Sequence, residues 1–320
     1  MSGVVELKVR VAEIEQATGT VKRFRLVPVS GEPLPTYSAG AHVIVTMSDD
    51  GRRIKNPYSL IDRAEDGSSY RIGVLKTHDS RGGSRFMHER VEVGTELTIA
   101  MPVNLFPIVR MGRRHILVAG GIGVTPIHAM AAELKKQSAS YEIHYAMRSA
   151  AHGAFVDELA AAHGDKLRLY RDDCSEIIEV AKILAHQPLG THLYVCGPEG
   201  MIDAILQGGR DAGWPDENLH AERFLSPAGG EPFSVVLAKA GITAEVRADQ
   251  SLLEAIEEAG VDAPYLCRGG ACGQCETAVV AHDGELDHKD HYLTDEEKAA
   301  GKKIMICMSR LKGRELVLDL

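Results

Sequence analysis

Apolar positions follow two different rhythms along this 320-residue chain. From residue 1 to about 108 they alternate in short runs, as in Leu7/Val9/Val11, separated by turn residues. The runs are Leu7–Ile14, Val21–Val29, His42–Met47, Tyr58–Ile61, Tyr70–Leu75 and Glu96–Ala100. Many short alternating strands predict an antiparallel β-barrel, interrupted by one helix near Arg85–Arg90. From about 110 to 225 the runs His115–Ala119, Tyr141–Ala146, Leu167–Tyr170 and Leu193–Val195 are separated by helical stretches at Pro126–Gln137, Ala154–Ala162 and Glu199–Ala212. Alternating β and α elements predict a central α/β domain with a parallel sheet covered on both faces. Ser226-Pro-Ala-Gly-Gly-Glu-Pro232 breaks both rhythms and reads as a linker over 226–233. Beyond it Phe233–Leu237 and Ala244–Val246 predict a hairpin. Ser251-Leu-Leu-Glu254 then fits a helix capping box ahead of apolar Leu252, Leu253, Ile256 and Ala259.

Composition narrows the class. A hydrophobic content of 44% supports real cores, and the length suits two or three domains. No apolar run approaches the roughly 18 residues of a membrane span, and Met1–Lys8 lacks a signal-peptide pattern. A soluble cytoplasmic protein with no membrane partner is expected. The net charge of −9 argues against nucleic acid as the main partner. Residues 234–320 hold 10 Lys/Arg against 16 Asp/Glu, or −6, which leaves −3 for the rest. That acidity suits a basic docking face on a redox partner, or simply a solvated surface.

The densest chemistry is Cys267-Arg-Gly-Gly-Ala-Cys272-Gly-Gln-Cys275, joined by the distant Cys307. The spacing C-x4-C-x2-C plus one thiol fits the plant-type ligand set of a [2Fe–2S] cluster. Gly269, Gly270 and Gly273 let such a loop bend sharply around a small anionic group. Cys307 lies in an apolar run that reads as a strand. Zinc is the main competitor, but structural zinc usually takes paired C-x2-C units; a disulfide fits less well. Cys174 reads as an incidental thiol. His282, His288 and His291, beside Asp287 and Asp290, show no metal-ligand spacing and read as exposed loop residues.

Gly120-Gly-Ile-Gly-Val-Thr-Pro126 follows an apolar strand and precedes a helix, so its amides suit a pyrophosphate. It departs from the G-x-G-x-x-G fingerprint. Cys196-Gly-Pro-Glu-Gly-Met201 stands at a second junction of the same kind, and two such turns in one sheet face one crevice.

These two motifs and the downstream cysteines together resemble the phthalate dioxygenase reductase family, within the wider ferredoxin–NADP reductase superfamily, across essentially the whole chain. The reductases of vanillate demethylases and carnitine-type monooxygenases are similar. The resemblance implies an FMN-binding barrel over 1–108, an NAD-binding domain over 109–225 and a C-terminal β-grasp ferredoxin-like domain over 234–320. It implies FMN, NADH and a [2Fe–2S] cluster as cofactors, with a terminal Rieske oxygenase as protein partner. The family's flavin motif R-x-Y-S corresponds to Asn56-Pro57-Tyr58-Ser59. Tyr58 would pack on the flavin and Ser59 would hydrogen-bond it, while Asn56 replaces a phosphate-neutralising arginine. Arg52, Arg53, Arg81 and Arg85 are the nearby cations, and Arg81-Gly82-Gly83-Ser84 resembles the family's phosphate loop. Val74, Leu75 and Lys76 would contribute backbone contacts to the flavin edge.

Gly120, Gly123 and Pro198 would help hold the nucleotide, with Gly121, Thr125, Cys196 and Gly197 bordering the nicotinamide. Cys196 shows no Cys–His–acid logic of a nucleophile. Phe224, in Glu222-Arg-Phe224, resembles the aromatic that covers the flavin until nicotinamide displaces it; an ordinary core phenylalanine is the plain alternative. Arg148 stands almost alone where NADPH enzymes need several cations, which favours NADH. The expected sequence is hydride to flavin, splitting of the electron pair, and single-electron delivery by a cluster near about −400 mV. An FAD-containing reductase of a diiron or ferredoxin system, and a redox-sensing module without turnover, are the alternatives.

Overall fold

The computed structural model describes residues 5–49, 51–78, 81–227 and 229–320. Two compact units divide the chain at Phe224/Leu225.

The first unit opens with seven strands: β1 Glu6–Gln16, β2 Val21–Pro28, β3 Ala41–Asp49, β4 Arg52–Arg63, β5 Tyr70–Leu75, β6 Glu96–Ala100 and the short β7 Val103–Asn104. They order as β4-β5-β2-β1-β6-β3-β7, and β3 also pairs with β4, so six strands close an antiparallel barrel. Alternation drives the closure: Val9, Phe24, Val43, Leu60, Ile72 and Ile99 all point into one core. Helix α1, Gly83–Glu89, follows β5.

A parallel sheet completes this unit. Its strands are β8 Arg114–Gly120, β9 Tyr141–Met147, β10 Leu167–Arg171, β11 Thr191–Cys196 and β12 Leu219–Glu222, ordered β10-β9-β8-β11-β12. Strands buried on both faces read as continuous apolar runs, as His115–Ala119 does. Helices α2 Val124–Lys136 and α3 Val156–His163 contribute to the core on one side, while α4 Val180–Leu184 and α5 Glu199–Asp211 contribute to the core on the other. Val124, Ile127 and Met130 of α2 share a core with Val21 and Ile61 of the barrel. The strand order reverses between β8 and β11, the place where open α/β sheets bind ligands.

The second unit has its own core. Strands β13 Phe233–Leu237, β14 Ile242–Val246, β15 Glu276–His282, β17 Lys303–Met305 and β19 Glu315–Leu318 order as β14-β13-β19-β15-β17, and β16 Glu285–Asp287 pairs with β18 Arg310–Lys312. β13 and β14 form the expected antiparallel hairpin, and β19 lies parallel to β13. Helix α6, Leu252–Glu258, starts at the anticipated capping box, with both reciprocal hydrogen bonds formed between Ser251 and Glu254. It buries Leu252, Leu253 and Ile256 on a β-grasp sheet. Helix α7, Asp295–Ala300, starts at a second box, Thr294 with Glu297.

Two sequence expectations need correction. Cys307 is not in a strand: β17 ends at Met305 and the chain turns at residues 306–308. A ladder would hold the thiol on a sheet face, whereas the turn swings it toward the cysteine loop. Asp290 and His288 are not surface residues either. The Asp290 carboxylate is fully buried, accepting from Ser309 Oγ at 3.0 Å and from the amides of Tyr292 and Leu293. The His288 side chain lies beside it, almost as deeply buried. His282 and His291 are exposed as expected. Among the described residues no helix is long and apolar enough to cross a membrane.

Candidate functional site

β4 carries Asn56, Pro57, Tyr58 and Ser59 opposite Val45, Ile44, Val43 and His42 of β3. The extended backbone sends Asn56 and Tyr58 to one face and Ser59 to the other. The Asn56 amide lies 3.5 Å from the Tyr58 hydroxyl, whose pKa burial pushes up to about 12. The same amide lies so close over Gly83 that a Cβ there has no room. Asn56 therefore packs directly on the Arg81–Ser84 loop. Ser84 Oγ accepts from the Thr77 amide at 3.3 Å, and His88 of α1 holds the Val74 carbonyl at 2.8 Å. Helix α1 thereby fixes the Val74–Lys76 edge. Arg81 is half-buried, Arg85 four residues later is exposed, and Arg53 on β4 is exposed.

The two glycine turns of the parallel sheet touch. Gly123 has no space for a Cβ because the Cys196 carbonyl fills it, and a Cβ on Gly197 would fall 3.0 Å from Gly120. Gly120 is likewise filled by Pro198 and Met201. Gly121 takes a left-handed φ of 52° with open space around it. Thr125 is buried, its hydroxyl donating to the Ile122 carbonyl at 3.0 Å and its methyl sitting where a Cβ of Gly73 would be. Thr125 thus packs helix α2 against strand β5 of the barrel. Arg148 is exposed at the end of β9, and its carbonyl accepts from the Asp173 amide.

A residue not singled out from sequence sits at the seam. Glu222, the last residue of β12, hydrogen-bonds Ser59 of the barrel, and its other oxygen is buried without a partner. Burial pushes its carboxyl up to about 8, so it is protonated at neutral pH. The fully buried Cys196 thiol is pushed well up, by burial and then by Glu222, which makes it an inert wall and not a nucleophile. Ser59, Cys196 and Glu222 bring three strands to one point, and an orphaned buried oxygen there fits a polar ligand edge. Phe224 lies just beyond the end of β12 and is 45% exposed, so it is no core residue. Glu222 left no sequence signal because its burial is created by the barrel, which is remote in the chain.

In the second unit the four thiols converge. Cys267, Cys275 and Cys307 are buried and Cys272 is half-buried. Cys267 is within hydrogen-bond reach of Cys272 and Cys307, and Cys275 of Cys307. Sulfur–sulfur hydrogen bonds, with the Gly269 and Ala271 amides, pull the Cys267 thiol down, and the same bonds push Cys272 and Cys307 up, so the four sulfurs act as one group. Gly270 and Gly273 take φ of 70° and 77°. Met308 and Asp290 crowd the place of a Cβ at Gly270, and the Tyr292 ring fills that at Gly273. An all-sulfur donor set on a loop of left-handed glycines fits a [2Fe–2S] group.

Comparison with known proteins agrees with this construction. Residues 102–219 match the family model of the dimethylamine monooxygenase subunit DmmA-like N-terminal domain, and residues 235–312 match that of the 2Fe-2S iron-sulfur cluster binding domain. The chain is 44% identical to the carnitine monooxygenase reductase subunit of Acinetobacter baumannii, over 97% of this chain and 96% of that one. It is 41% identical to the heme-dependent oxidative N-demethylase beta subunit of Ectopseudomonas mendocina, over 98% and 99%. The solved structure of phthalate dioxygenase reductase, described as a modular structure for electron transfer from pyridine nucleotides to [2Fe–2S], superposes with a TM-score of 0.87 at 33% identity, covering 98% of each chain. A barrel, a parallel sheet and a four-thiol unit in this order, with such identity along nearly the full length, mean that the chain belongs to the phthalate dioxygenase reductase family.

Proposed function

We propose that this chain is the reductase component of an oxygenase system, carrying electrons from NADH through FMN and a [2Fe–2S] cluster to a terminal oxygenase. When bound, these groups supply hydride acceptance, splitting of the electron pair and single-electron delivery. Residues 1–108 would form the FMN domain, 109–225 the NADH domain and 234–320 the cluster domain, with 226–233 as linker. The observation that carries the reading is the meeting of Ser59, Cys196 and Glu222 at the barrel–sheet seam, in a chain that also gathers four thiols.

Each residue has a definite task in this reading. Pro57, Tyr58, Ser59 and the backbone of Val74, Leu75 and Lys76 hold the flavin ring. Asn56, Arg81, Gly82, Gly83 and Ser84 hold its phosphate end. Gly120, Gly121, Gly123, Gly197 and Pro198 let the nucleotide pyrophosphate approach the backbone. Thr125 and Cys196 wall the nicotinamide, Arg148 borders the adenosine ribose, and Phe224 covers the flavin face until nicotinamide takes its place. NADH is preferred over NADPH because Asp172 and Asp173 follow β10, where a 2′-phosphate would meet like charge. The neighbouring Arg171 guanidinium is engaged by Glu176 and Cys174. Cys267, Cys272, Cys275 and Cys307 ligate the cluster.

The leading partner is a Rieske oxygenase. A haem-containing oxygenase is a second reading, favoured by the N-demethylase relative. Cysteines committed to a cluster rather than to disulfides suit a reducing, cytoplasmic setting. The test is chemical. Purified protein should release FMN on denaturation, contain iron and acid-labile sulfide in equal amounts, and be bleached by NADH. Extracted FAD would favour a ferredoxin or diiron system. Co-purification with the oxygenase, followed by haem and non-haem iron analysis, separates the two partners.

A further inference from the structure

Arg268 is the only non-glycine residue with a left-handed backbone among the described residues of the second unit, at φ 53°. That conformation suits glycine, and two glycines follow immediately. An arginine is placed there instead, directly after the ligand Cys267.

Its side chain does not extend into water. Arg268 is 6% exposed. Its guanidinium pairs with Glu257 near the end of α6 and lies 4.1 Å from the centroid of the Tyr265 ring. Its Nε is buried without a partner. A planar guanidinium held by a carboxylate on one side and a ring face on the other has little freedom. Helix α6 is itself fixed by the Ser251–Glu254 box and by Leu252, Leu253 and Ile256 in the core. The loop is therefore tied to a rigid element through one side chain.

What the tie fixes is the start of the cysteine loop. The left-handed turn at Arg268 points the Gly269 amide back at Cys267 Sγ, 3.3 Å away, and the Ala271 amide is directed at the same sulfur. Hydrogen bonds to ligand sulfurs stabilise the extra charge of a reduced cluster, and so raise its potential.

We propose that Arg268, clamped between Glu257 and Tyr265, is a positioning residue that holds these amides on Cys267 and thereby sets the lifetime and the reduction potential of the cluster. The proposal rests on the iron–sulfur reading of the four thiols.

The test uses the full chain with Arg268→Gly, Arg268→Lys and Glu257→Gln. Iron and acid-labile sulfide, the rate of cluster loss to a chelator, and the cluster potential by anaerobic spectroelectrochemical titration are measured for each. Arg268→Gly keeps the backbone conformation accessible while removing the clamp. It should lose its cluster about 10- to 100-fold faster than the parent, the usual effect of removing an outer-sphere partner, and its potential should move to more negative values. Glu257→Gln, outside the loop, should shift both quantities in the same direction, and Arg268→Lys should recover part of the lifetime. NADH-driven flavin bleaching should be the same in all. Parental lifetime and potential in Arg268→Gly would overturn the proposal. If that variant fails to load a cluster, parental values in Glu257→Gln overturn it instead. A parent protein with no iron or sulfide would bring down the cluster reading itself, a distinct result.

Discussion

Glu222 and His220 lie two residues apart on β12 and titrate in opposite senses. Burial raises the Glu222 carboxyl to about 8, so between about pH 4.5 and 8 the folded chain carries a proton there that the unfolded chain releases. Stability from this group is lost as pH rises through that window. Burial, with His192 and His115 nearby, lowers His220 to about 4. The unfolded chain then binds the extra proton, and stability from this group is lost as pH falls from about 6.5 toward 4. Above pH 6.5 the contribution of His220 fades while that of Glu222 is still being lost. Melting temperature of the flavin-free protein should therefore fall between pH 6.5 and 8, and Glu222→Gln should flatten that segment while leaving the acid side unchanged; an equal slope in both proteins would contradict the burial of this carboxyl. Gly83 is the second informative position. A Cβ there collides with the Asn56 amide, so Gly83→Ala should weaken flavin retention about tenfold or more in dialysis, by displacing a group packed on the site. The cluster spectrum should not change. Asn56 and Gly83 were both legible as motif residues; their mutual contact was not, because 26 residues of chain separate them.

At the scale of elements, local signals were readable wherever the cause is local. The Ser251–Glu254 box needs only four residues, and it formed as expected. Replacing Ser251 by Ala should cost about 1 kcal/mol and lower the melting transition of the second unit by about 4–8 °C. Calorimetry should show the transition of the first unit unmoved. The apolar run around Cys307 was misread because Ile304, Met305 and Ile306 satisfy a strand pattern, yet β17 stops at Met305 so that the thiol can turn toward its partners. The His288–Asp290 segment was misread for a related reason. Polar residues between elements are usually solvated, but this loop packs on Ser309, whose hydroxyl accepts from the Lys289 amide and donates to the Asp290 carboxylate. The acid pair Asp172–Asp173 carried no periodic signal either; its meaning comes from standing at the carboxyl end of β10.

The whole molecule divides where electron handling changes hands. Residues 5–224 and 225–320 each close their own cores. A chain ending at Phe224 should still reduce ferricyanide with NADH and should lose cytochrome c reduction, which needs the single-electron carrier. Loss of both activities, in a truncated protein that retains flavin, would contradict that division of labour. The barrel, the α/β alternation and the cysteine spacing that suits a cluster were legible in the sequence, since period, turn chemistry and spacing act over a few residues at a time. The protonated Glu222 against Ser59, the inert Cys196 and the clamp on Arg268 exist only in the folded chain. Each depends on water being excluded by segments distant in sequence, and desolvation is a property of the assembled volume, which no stretch of residues carries by itself.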